Sequence, residues 1–434
     1  MSAELWKSAV NVLDANWSGD HMVPSRRLYP HQWSWDAAFI AIGLAHVDPA
    51  RAWRDLRSLF EAQWPDGRVP HIVFDPSVPE GDYFPGPSFW DVPAHGSRPA
   101  RGSTGLVQPP MHAIAAWEVY SRSASHEATE ELRWLYPRLV KQQEYLTGRR
   151  DAGGGGLAAL VHPWESGVDN SPAWDAAMSQ VPADHDLLRR YHRRDLDVAD
   201  ASHRPTDTDY ARYVHLVVAY KESGYSDLEL AKRHDFVVEC PGFNSILGAA
   251  ESALAKIAEV VGADPAVHQE RARAVTAAVV DRLWDEGSRT FRARDVRTGT
   301  LSPAHCVTGL LPLILPGLPS EYTKAILDEA RSERFGLPED TTLPVPSYDR
   351  TAADFDPARY WRGPIWVNIN WLLRRGLDQH GFTGEAADLR TSMLRLVGSS
   401  GHYEYFHPDT GAGIGAGQFS WTAALTLDLL AAGG

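Results

Sequence analysis

The stretch WSWDAAFIAIGLA, residues 33–45, indicates the fold of this chain. It begins with aromatic and polar residues and then becomes small and apolar on nearly every side. A helix that is apolar all round is buried, whereas an amphipathic helix faces solvent. The same pattern recurs in five further stretches: QPPMHAIAAW (108–117), PGFNSILGAAESALA (241–255), AHCVTGLLPLIL (304–315), YWRGPIWVNINWLL (360–373) and FSWTAALTLDLL (419–430). The sequence therefore predicts six buried helices of one kind.

A second set of helices is amphipathic and charged, and it alternates with the first set along the chain. Its members are the helix 3–16 and the stretches at 49–64, 128–146, 265–284, 320–332 and 383–397. Six buried helices that alternate with six exposed ones predict an all-α fold, an (α/α)6 barrel; an irregular multi-helical protein is the alternative. The predicted helices are 3–16, 34–47, 49–63, 109–121, 127–148, 207–222, 242–262, 265–284, 302–315, 320–333, 359–374, 380–398 and 418–432.

The inner helices of such a barrel run parallel, so their N-terminal ends meet at one mouth. Converging N-termini supply N–H groups for hydroxyls and anions. Two stretches, 65–108 and 149–206, lack a sustained helical pattern, and loops this long are usually functional. We predict a single domain, 1–434, with an active-site loop insertion at 65–108. A lid that includes helix 207–222 is predicted at 149–240.

Composition narrows the class of protein. Hydrophobic residues make up 44% and charged residues 23% of the 434 residues, which is ordinary for a soluble globular protein. The net charge is 42 − 56 = −14, and no basic patch dominates, which argues against nucleic acid or an anionic membrane as partner. Two cysteines are too few for a disulfide framework, and we expect neither a signal peptide nor a transmembrane segment. We expect a cytoplasmic protein, and a homo-oligomeric state stays open.

The segment WESGVDNSPAWD, residues 164–175, carries most of the functional information. It holds three carboxylates and two tryptophans, with Gly and Pro that a packed helix would not tolerate. A carboxylate beside indole rings is partly desolvated, which raises its pKa and lets it act as an acid near neutral pH. Flat aromatic faces also suit sugar rings. The segment therefore predicts a carbohydrate active site.

Glycoside hydrolysis needs two carboxyl groups, one on each side of the scissile bond. The candidates near aromatic residues are Asp36, Glu165, Asp169, Asp175 and Glu404. For any single one of them, a helix cap or a salt-bridge partner is the alternative.

A second signal is YWRGPIW, residues 360–366. Arg362 stands beside Trp361 and Trp366, where a cation could orient a carboxylate or a sugar hydroxyl. A structural arginine at the barrel rim is the equal alternative. Pro364 suits the first turn of a helix.

Several separate motifs together resemble one family. LYPHQWSWDAAF (28–39), VPHIVF (69–74), YFPGP (83–87), WESGVDNSPAWD (164–175), YWRGPIW (360–366) and SWTAA (420–424) are similar to family 63 glycoside hydrolases, specifically the short bacterial glucosylglycerate and mannosylglycerate hydrolases. The resemblance runs nearly end to end. It implies an inverting enzyme on an (α/α)6 barrel, with Asp169 as general acid and Glu404 as general base.

The same resemblance suggests the substrate-binding residues. In SHRPTDTDYARY (202–213), Arg204 and Tyr210 would contact the glycerate, although a solvated loop cation is the alternative for Arg204 in the Arg-rich region 189–204. Residues expected in the sugar subsite are Tyr29, Trp33, Trp35, Asp36, Gln108, Trp366 and Gln418. Further substrate-binding candidates are Trp164, Glu165, Tyr360, Trp361, Arg362 and Gly363. For Glu165, supporting the residues that contact the substrate is the alternative to binding a hydroxyl group. Two departures from the subgroup are YFHP after Glu404, where a further acidic residue is expected, and the loosely matching stretch 176–200.

No motif for a metal or a cofactor is present, because the chain has no H-E-x-x-H, P-loop, dinucleotide fingerprint or G-x-S-x-G. We therefore expect neither. The predicted function is an inverting α-glycosidase that cleaves glucosylglycerate, mannosylglycerate or both to hexose and D-glycerate. The alternatives are a family 63-type α-glucosidase on another small α-glucoside (a disaccharide or glucosylglycerol), a sugar epimerase or isomerase, and a non-catalytic sugar-binding protein. An epimerase or isomerase would favour a histidine pair, with His31, His71 and His112 available.

Overall fold

The computed structural model describes residues 2–92, 102–193, 195–198, 200–337 and 343–432, so residues 93–101 of the predicted insertion 65–108 lie outside the described residues. The structure is mainly helical. Its α-helices are α1 (Ser2–Asn16), α2 (Ser34–Leu44), α3 (Pro49–Glu61), α4 (Pro87–Trp90), α5 (His112–Arg122), α6 (His126–Arg149), α7 (Asp175–Met178), α8 (His185–Leu188), α9 (Asp195–Val198), α10 (Asp207–Glu222), α11 (Leu230–Arg233), α12 (Pro241–Val261), α13 (Ala266–Leu283), α14 (Ser320–Arg331), α15 (Val367–Gln379), α16 (Thr383–Ser400) and α17 (Ser420–Ala431).

The most buried helices pack against one another in a closed circuit. Helix α2 contacts α5, α5 contacts α12, and α12 contacts the 3₁₀ segment Leu311–Ile314. That segment contacts α15, α15 contacts α17, and α17 returns to α2. The amphipathic helices pack on this circuit: α1 on α17, α3 on α2 and α5, α6 on α5 and α12, α13 on α12, and α16 on α15 and α17. Two kinds of helix, buried and amphipathic, are thus present as the sequence pattern indicates.

Helices α2 and α17 are in close contact within the circuit. Every residue of α2 is buried, as are the first ten residues of α17. At Gly43 a Cβ atom would lie 2.2 Å from the carbonyl oxygen of Ala424, closer than any real contact. The hydrogen of Gly43 therefore sets the distance between the two helices, whose first residues carry several candidate site residues.

Two of the predicted helices differ from the structure. The predicted helix 302–315 is absent, and the segment forms only the short 3₁₀ turns Val307–Gly309 and Leu311–Ile314. Pro312 disfavours a helix here, because proline in a helix interior lacks an N–H to donate and clashes with the preceding turn. The predicted helix 359–374 begins only at Val367, so Pro364 is not in its first turn. Ile365 instead exchanges backbone hydrogen bonds with Phe406, at 2.8 and 3.0 Å.

Short antiparallel strands fasten the ends of the long insertions. Strand β1 (Gln32–Trp33) pairs with β2 (Ile72–Val73), which places the segment after residue 65 beside the start of α2. Strands β3 (Ala159–Leu160), β4 (Val238–Glu239) and β7 (Arg294–Asp295) form one sheet with β4 in the middle. The pair β3–β4 joins the two ends of the predicted lid. The remaining pairs are β5 (Trp284–Asp285) with β6 (Thr290–Phe291), and β8 (Tyr403–Phe406) with β9 (Gly413–Gly417).

Within the described ranges, no helix has both the length and the apolar character that crossing a membrane requires. The two cysteines, Cys240 and Cys306, are buried free thiols.

The contact at Gly43 gives a test of the packing. We expect Gly43→Ala to lower the free energy of unfolding by about 1–3 kcal/mol, because the added methyl forces α2 away from α17. Gly148→Ala is the matched control: Gly148 lies within α6, and a Cβ atom there meets no neighbour within 4 Å in the described part of the chain. The control should be neutral or stabilise the protein by up to about 1 kcal/mol through helix propensity. Urea denaturation followed by circular dichroism measures both, and equal midpoints for the two variants would contradict the packing argument.

Candidate active site

A cavity lies where the first residues of α2 and α17 meet both long insertions. Its empty space is about 920 Å³ when the open mouth is counted. The cavity is lined by these predicted residues: Tyr29, Trp33, Trp35, Asp36, Gln108, Trp164, Asp169, Arg204, Tyr210, Tyr360, Trp361 and Glu404. The structure therefore brings together most of the residues selected from separate motifs.

The loop that carries Asp169 is held from several sides. It lies between the 3₁₀ turns Pro163–Ser166 and Pro172–Trp174. The indole N–H of Trp174 donates to the carbonyl of Val168 at 2.9 Å, and the hydroxyl of Tyr213 donates to the carbonyl of Asp169 at 3.0 Å. Gly167 has φ +74°, and a Cβ atom there would lie 2.5 Å from the ring of Trp35. The glycine thus lets the loop lie directly on the aromatic wall of the cavity.

The environment of Asp169 favours its protonated form near neutral pH. Burial raises the pKa of this carboxyl to about 7, although the nearby Arg204 guanidinium acts in the opposite direction. The negative charge of Glu404 adds to the increase. A carboxyl group with such a pKa can donate a proton at physiological pH.

Glu404 lies on β8 and is almost completely buried. One carboxylate oxygen, Oε1, accepts a hydrogen bond from the hydroxyl of Tyr29 at 2.8 Å, and Oε2 accepts one from the backbone N–H of Ala416 at 3.1 Å. Burial raises its pKa, whereas Arg204 lowers it. At Gly415 a Cβ atom would lie 2.5 Å from Oε2, so the Gly-rich run after β8 allows the backbone to approach the carboxylate.

Arg204 is buried against the same group of side chains, with 7% of its surface exposed, so it is not a solvated loop cation. Its Nη2 donates to the hydroxyl of Tyr29 at 3.3 Å, and its guanidinium lies 4.2 Å from the ring centre of Tyr360. Nη1 lies 3.9 Å from Oε1 of Glu404, beyond hydrogen-bond distance. Nη1 has no hydrogen-bond partner among the described residues, and the atom itself is covered by neighbouring side chains.

Aromatic rings form the walls of the cavity. Trp35 and Trp421 meet edge to face at 5.6 Å, and Trp361 presents one face to the cavity while its other face stacks on Trp366 at 3.7 Å. Asp36 lies among them at the start of α2, where burial raises its pKa well above the ordinary value. The walls thus combine flat apolar faces with a small number of polar groups, which is typical of sugar-binding sites.

Glu165, a predicted substrate-binding residue, does not line the cavity. Its two oxygens accept hydrogen bonds from Arg150, each at 2.8 Å, and from the backbone N–H groups of Val107 and Val161. Because its acceptor positions are already used within the protein, the structure favours a supporting role for this carboxylate over that of a hydroxyl ligand.

Arg362 and Gly363 also lie outside the cavity. Arg362 donates to both oxygens of Asp175, at 3.0 and 2.7 Å, and to Asp354 at 2.9 Å. The alternative of a structural arginine is therefore the correct one, and Asp175 is its salt-bridge partner. Gly363 is needed for close packing, because a Cβ atom there would lie 2.2 Å from the carbonyl oxygen of Asp356.

Trp366 and Gln418, which the sequence placed in the sugar subsite, also lie outside the cavity. Trp366 is covered by Trp361, and its indole N–H donates to the carbonyl of Tyr360 at 3.1 Å. Gln418 is solvent-exposed and has φ +52°, and its carbonyl accepts a hydrogen bond from Asn16 at 2.8 Å. Neither side chain lines the cavity: Trp366 lies behind Trp361, and the Gln418 side chain faces solvent.

Some lining residues were not selected from the sequence. Tyr83 and Trp421 stand in the motifs YFPGP and SWTAA, which could have identified them. Asp195 also lines the cavity, but it lies in the stretch 176–200 and carries no sequence signal. Tyr83 and Phe84 reach the cavity from the first insertion, and Phe84 stacks at 4.5 Å on Tyr191 of the second insertion.

The histidines do not form the pair that an epimerase would need. Of His31, His71 and His112, only His71 lines the cavity. Its Nδ1 is 2.6 Å from the hydroxyl of Thr104, and burial lowers its pKa well below the ordinary value. His112 is hydrogen-bonded to Ser34 and Gln142, away from the cavity. Among the residues that the structure describes, no group of three or more His, Cys, Asp or Glu is placed to hold a metal ion.

Comparison with known proteins gives consistent matches over the whole chain. The family described as the mannosylglycerate hydrolase MGH1-like glycoside hydrolase domain matches residues 29–422. The mannosylglycerate hydrolase of Rubrobacter radiotolerans is 40% identical over 435 residues, which cover 99% of this chain and 97% of that protein. The glucosylglycerate hydrolase of Mycolicibacterium hassiacum is 36% identical and covers 98% of each chain.

A solved structure of the same family also matches this chain. The crystal structure of the GH63 mannosylglycerate hydrolase from Thermus thermophilus in complex with Tris and D-glycerate superposes with a TM-score of 0.89 at 38% identity. The match covers 98% of this chain and 99% of that one. The chain therefore belongs to the MGH1-like glycoside hydrolases of family 63.

Proposed function

We propose that this protein is an inverting α-glycosidase that hydrolyses glucosylglycerate, mannosylglycerate or both to hexose and D-glycerate. The observation that supports this most strongly is the meeting of Asp169, Glu404 and Arg204 in one cavity. Two carboxyl groups supply acid and base, and the arginine supplies a partner for a carboxylate. One relative is named a mannosylglycerate hydrolase and another a glucosylglycerate hydrolase, and they are 40% and 36% identical to this chain. Both names support the same choice.

In this proposal Asp169 is the general acid. Its proton passes to the glycosidic oxygen while the bond from that oxygen to the anomeric carbon breaks, and D-glycerate leaves as the alcohol. A carboxyl group whose pKa burial raises to about 7 is protonated in much of the enzyme at neutral pH. Arg204, which opposes this increase, would bind the substrate carboxylate, so substrate binding would neutralise the opposing charge.

Glu404 is the general base in this proposal. It takes a proton from a water molecule, whose oxygen attacks the anomeric carbon on the face opposite the leaving group. The hydrogen bonds from Tyr29 and from the backbone of Ala416 hold the carboxylate in place for this step. Inversion requires the two carboxyl groups to stand roughly 6.5–9.5 Å apart in the substrate complex, so that the water fits between them.

The remaining lining residues would bind the two halves of the substrate. Arg204 and Tyr210 would hold the glycerate, with the Nη1 donor of Arg204 directed to its carboxylate. The hexose would lie against the aromatic faces, with Asp36 and Gln108 as polar partners for its hydroxyl groups. The proposed sugar-binding set is Tyr29, Trp33, Trp35, Asp36, Gln108, Trp164, Tyr360 and Trp361.

The proposed architecture is a single-domain (α/α)6 barrel. The closed circuit of buried helices supports it, with the two 3₁₀ turns at 307–314 in the place of one inner helix. Residues 65–108 would form a wall insertion and 149–240 a lid. The stacked rings of Phe84 and Tyr191, one from each insertion, support the view that the two close over the cavity together.

The product's anomeric form tests the function directly. We expect the wild-type enzyme, incubated separately with glucosylglycerate, mannosylglycerate and trehalose, to release hexose from at least one of the two glycerate glycosides. Proton NMR during the first minutes should show the β-anomer of the hexose, because water attacks the face opposite the α-linked aglycone. Hexose that appears first as the α-anomer contradicts inversion, and release from trehalose alone favours another α-glucosidase.

The acid–base pair gives a second prediction. Asp169→Asn and Glu404→Gln should each lower kcat by about 10²–10⁴-fold, the usual contribution of one general acid or base. For the wild type, kcat/KM should rise as Glu404 loses its proton, at a pH above the ordinary carboxyl range. It should fall above pH about 7, as Asp169 loses its proton.

Asp175→Asn is the matched control for this pair. Asp175 lies in the same segment as Asp169, but it is half-exposed and pairs with Arg362 outside the cavity. Its loss should change kcat by no more than a few-fold, as for other exposed ion pairs. The roles assigned here fail if Asp169→Asn or Glu404→Gln is no slower than this control.

Arg204 gives a third prediction. Arg204→Ala should reduce kcat/KM on the preferred glycerate glycoside by about 10–100-fold, since a charge-assisted contact is worth about 1.5–3 kcal/mol. The loss on glucosylglycerol, in which a hydroxymethyl group replaces the carboxylate of glucosylglycerate, should be much smaller. Steady-state kinetics on both substrates measures the difference. Equal losses in kcat/KM would show that Arg204 does not bind the carboxylate of the substrate.

A further inference from the structure

Asp195 lies between two arginines at the edge of the cavity. Arg193 donates to both of its oxygens, from Nε to Oδ1 at 3.2 Å and from Nη2 to Oδ2 at 2.7 Å. Arg204 approaches the same carboxylate from the other side, with Nε 3.5 Å from Oδ2. All three side chains are more than nine-tenths buried. A buried cluster of this kind has fixed geometry, because breaking one of its contacts leaves an unpaired charge.

The two arginines have different roles in this cluster. Arg193 is fully engaged within the protein: it also donates to Asp207 at 2.8 Å and to the carbonyl of Pro205 at 2.9 Å, and it lies 4.2 Å from the ring centre of Tyr210. It therefore fixes Asp195 relative to the start of α10. Arg204 is held by Asp195 through Nε and by Tyr29 through Nη2, which leaves Nη1 without a hydrogen-bond partner in the described ranges.

In the described part of the chain, Arg204 forms ion pairs with two carboxylates, Asp195 and Glu404. Nη1 is 3.9 Å from Oε1 of Glu404, so a movement of about 1 Å would convert this contact into a charge-assisted hydrogen bond. Such a bond would stabilise the ionised base and would also use the donor that the substrate needs. The contact with Asp195 opposes that movement by retaining the other end of the guanidinium.

We propose that Asp195 is a positioning residue that holds Arg204 away from Glu404 and keeps its Nη1 donor free for the carboxylate of the substrate. This inference rests on the proposed function, in which Arg204 binds the glycerate and Glu404 is the base. It assigns a role to a residue in the stretch 176–200, which matches the subgroup pattern only loosely. Asp195 acts through Arg204 and does not itself contact the reacting atoms.

A double-mutant cycle tests the proposal. The wild type, Asp195→Asn, Arg204→Ala and the double variant are assayed for kcat and KM on whichever glycerate glycoside the wild type cleaves. Asp195→Asn alone should lower kcat and raise KM, with a combined loss in kcat/KM of about tenfold or more, the value of one charged hydrogen bond. In the Arg204→Ala background the same substitution should change kcat/KM by less than about twofold, since the residue through which it acts is absent.

A purely structural role gives a different result. If Asp195 only maintained the fold of the insertion, its loss would reduce kcat/KM by the same factor in both backgrounds, and that outcome overturns the proposal. If Arg204→Ala turns over too slowly to assay, calorimetric titration gives the affinity of each variant for D-glycerate, and the same cycle is built from these affinities. Asp186→Asn is the control, because Asp186 lies in the same insertion but is exposed and pairs with Arg189 at the surface.

The experiment distinguishes failure of the proposed function from failure of the role proposed for Asp195. If the wild type cleaves neither glycerate glycoside, the proposed function fails and the role of Asp195 falls with it. If the wild type cleaves one of them and the two substitutions act additively, only the role of Asp195 is wrong.

Discussion

The buried ion pair between Arg150 and Glu165 is the constraint on which the active-site loop depends. Arg150 lies just after α6, and Glu165 lies four residues before Asp169. Both side chains are almost completely inaccessible to solvent, and two parallel hydrogen bonds of 2.8 Å join them. Removing one partner of such a pair typically costs about 3–5 kcal/mol, because an unpaired charge stays in a low-dielectric interior.

The network around this pair spreads the constraint to distant parts of the chain. Glu165 also accepts from the backbone of Val107, just before α5, and Arg150 lies 3.0 Å from Asp227, beyond the end of α10. Arg68 reaches the same Asp227 at 3.0 Å from the first insertion. One buried cluster of charges therefore fastens both insertions to the helices beneath them. The loop that carries Asp169 is held in place by this cluster, although none of these charges lines the cavity.

The fold was largely predictable from the sequence because burial produces a strong pattern. Helices such as α2 and α17 are buried on all sides, and their composition reports this directly. The segment 302–315 has the same apolar composition, and most of it is buried as predicted. It forms 3₁₀ turns instead of the predicted helix, since Pro312 disfavours a helix there. The cavity was predictable where a residue type implies its chemistry, as for Asp169 among aromatic rings. It was not predictable at Arg362 and Trp366, since neighbours in sequence can face opposite sides of an extended segment. Asp195 could not be identified, because its position depends on two arginines brought together only by the fold.

The glycines beside the two carboxyl groups limit how this site can change through evolution. Gly167 leaves only 2.5 Å between the position of a Cβ atom and the ring of Trp35, and Gly415 leaves the same distance to the carboxylate of Glu404. Any other residue at either position would have to displace the aromatic wall of the cavity or the carboxylate itself. A single substitution at either position would therefore alter the site at once, so this inner side of the cavity tolerates change less than a surface loop would.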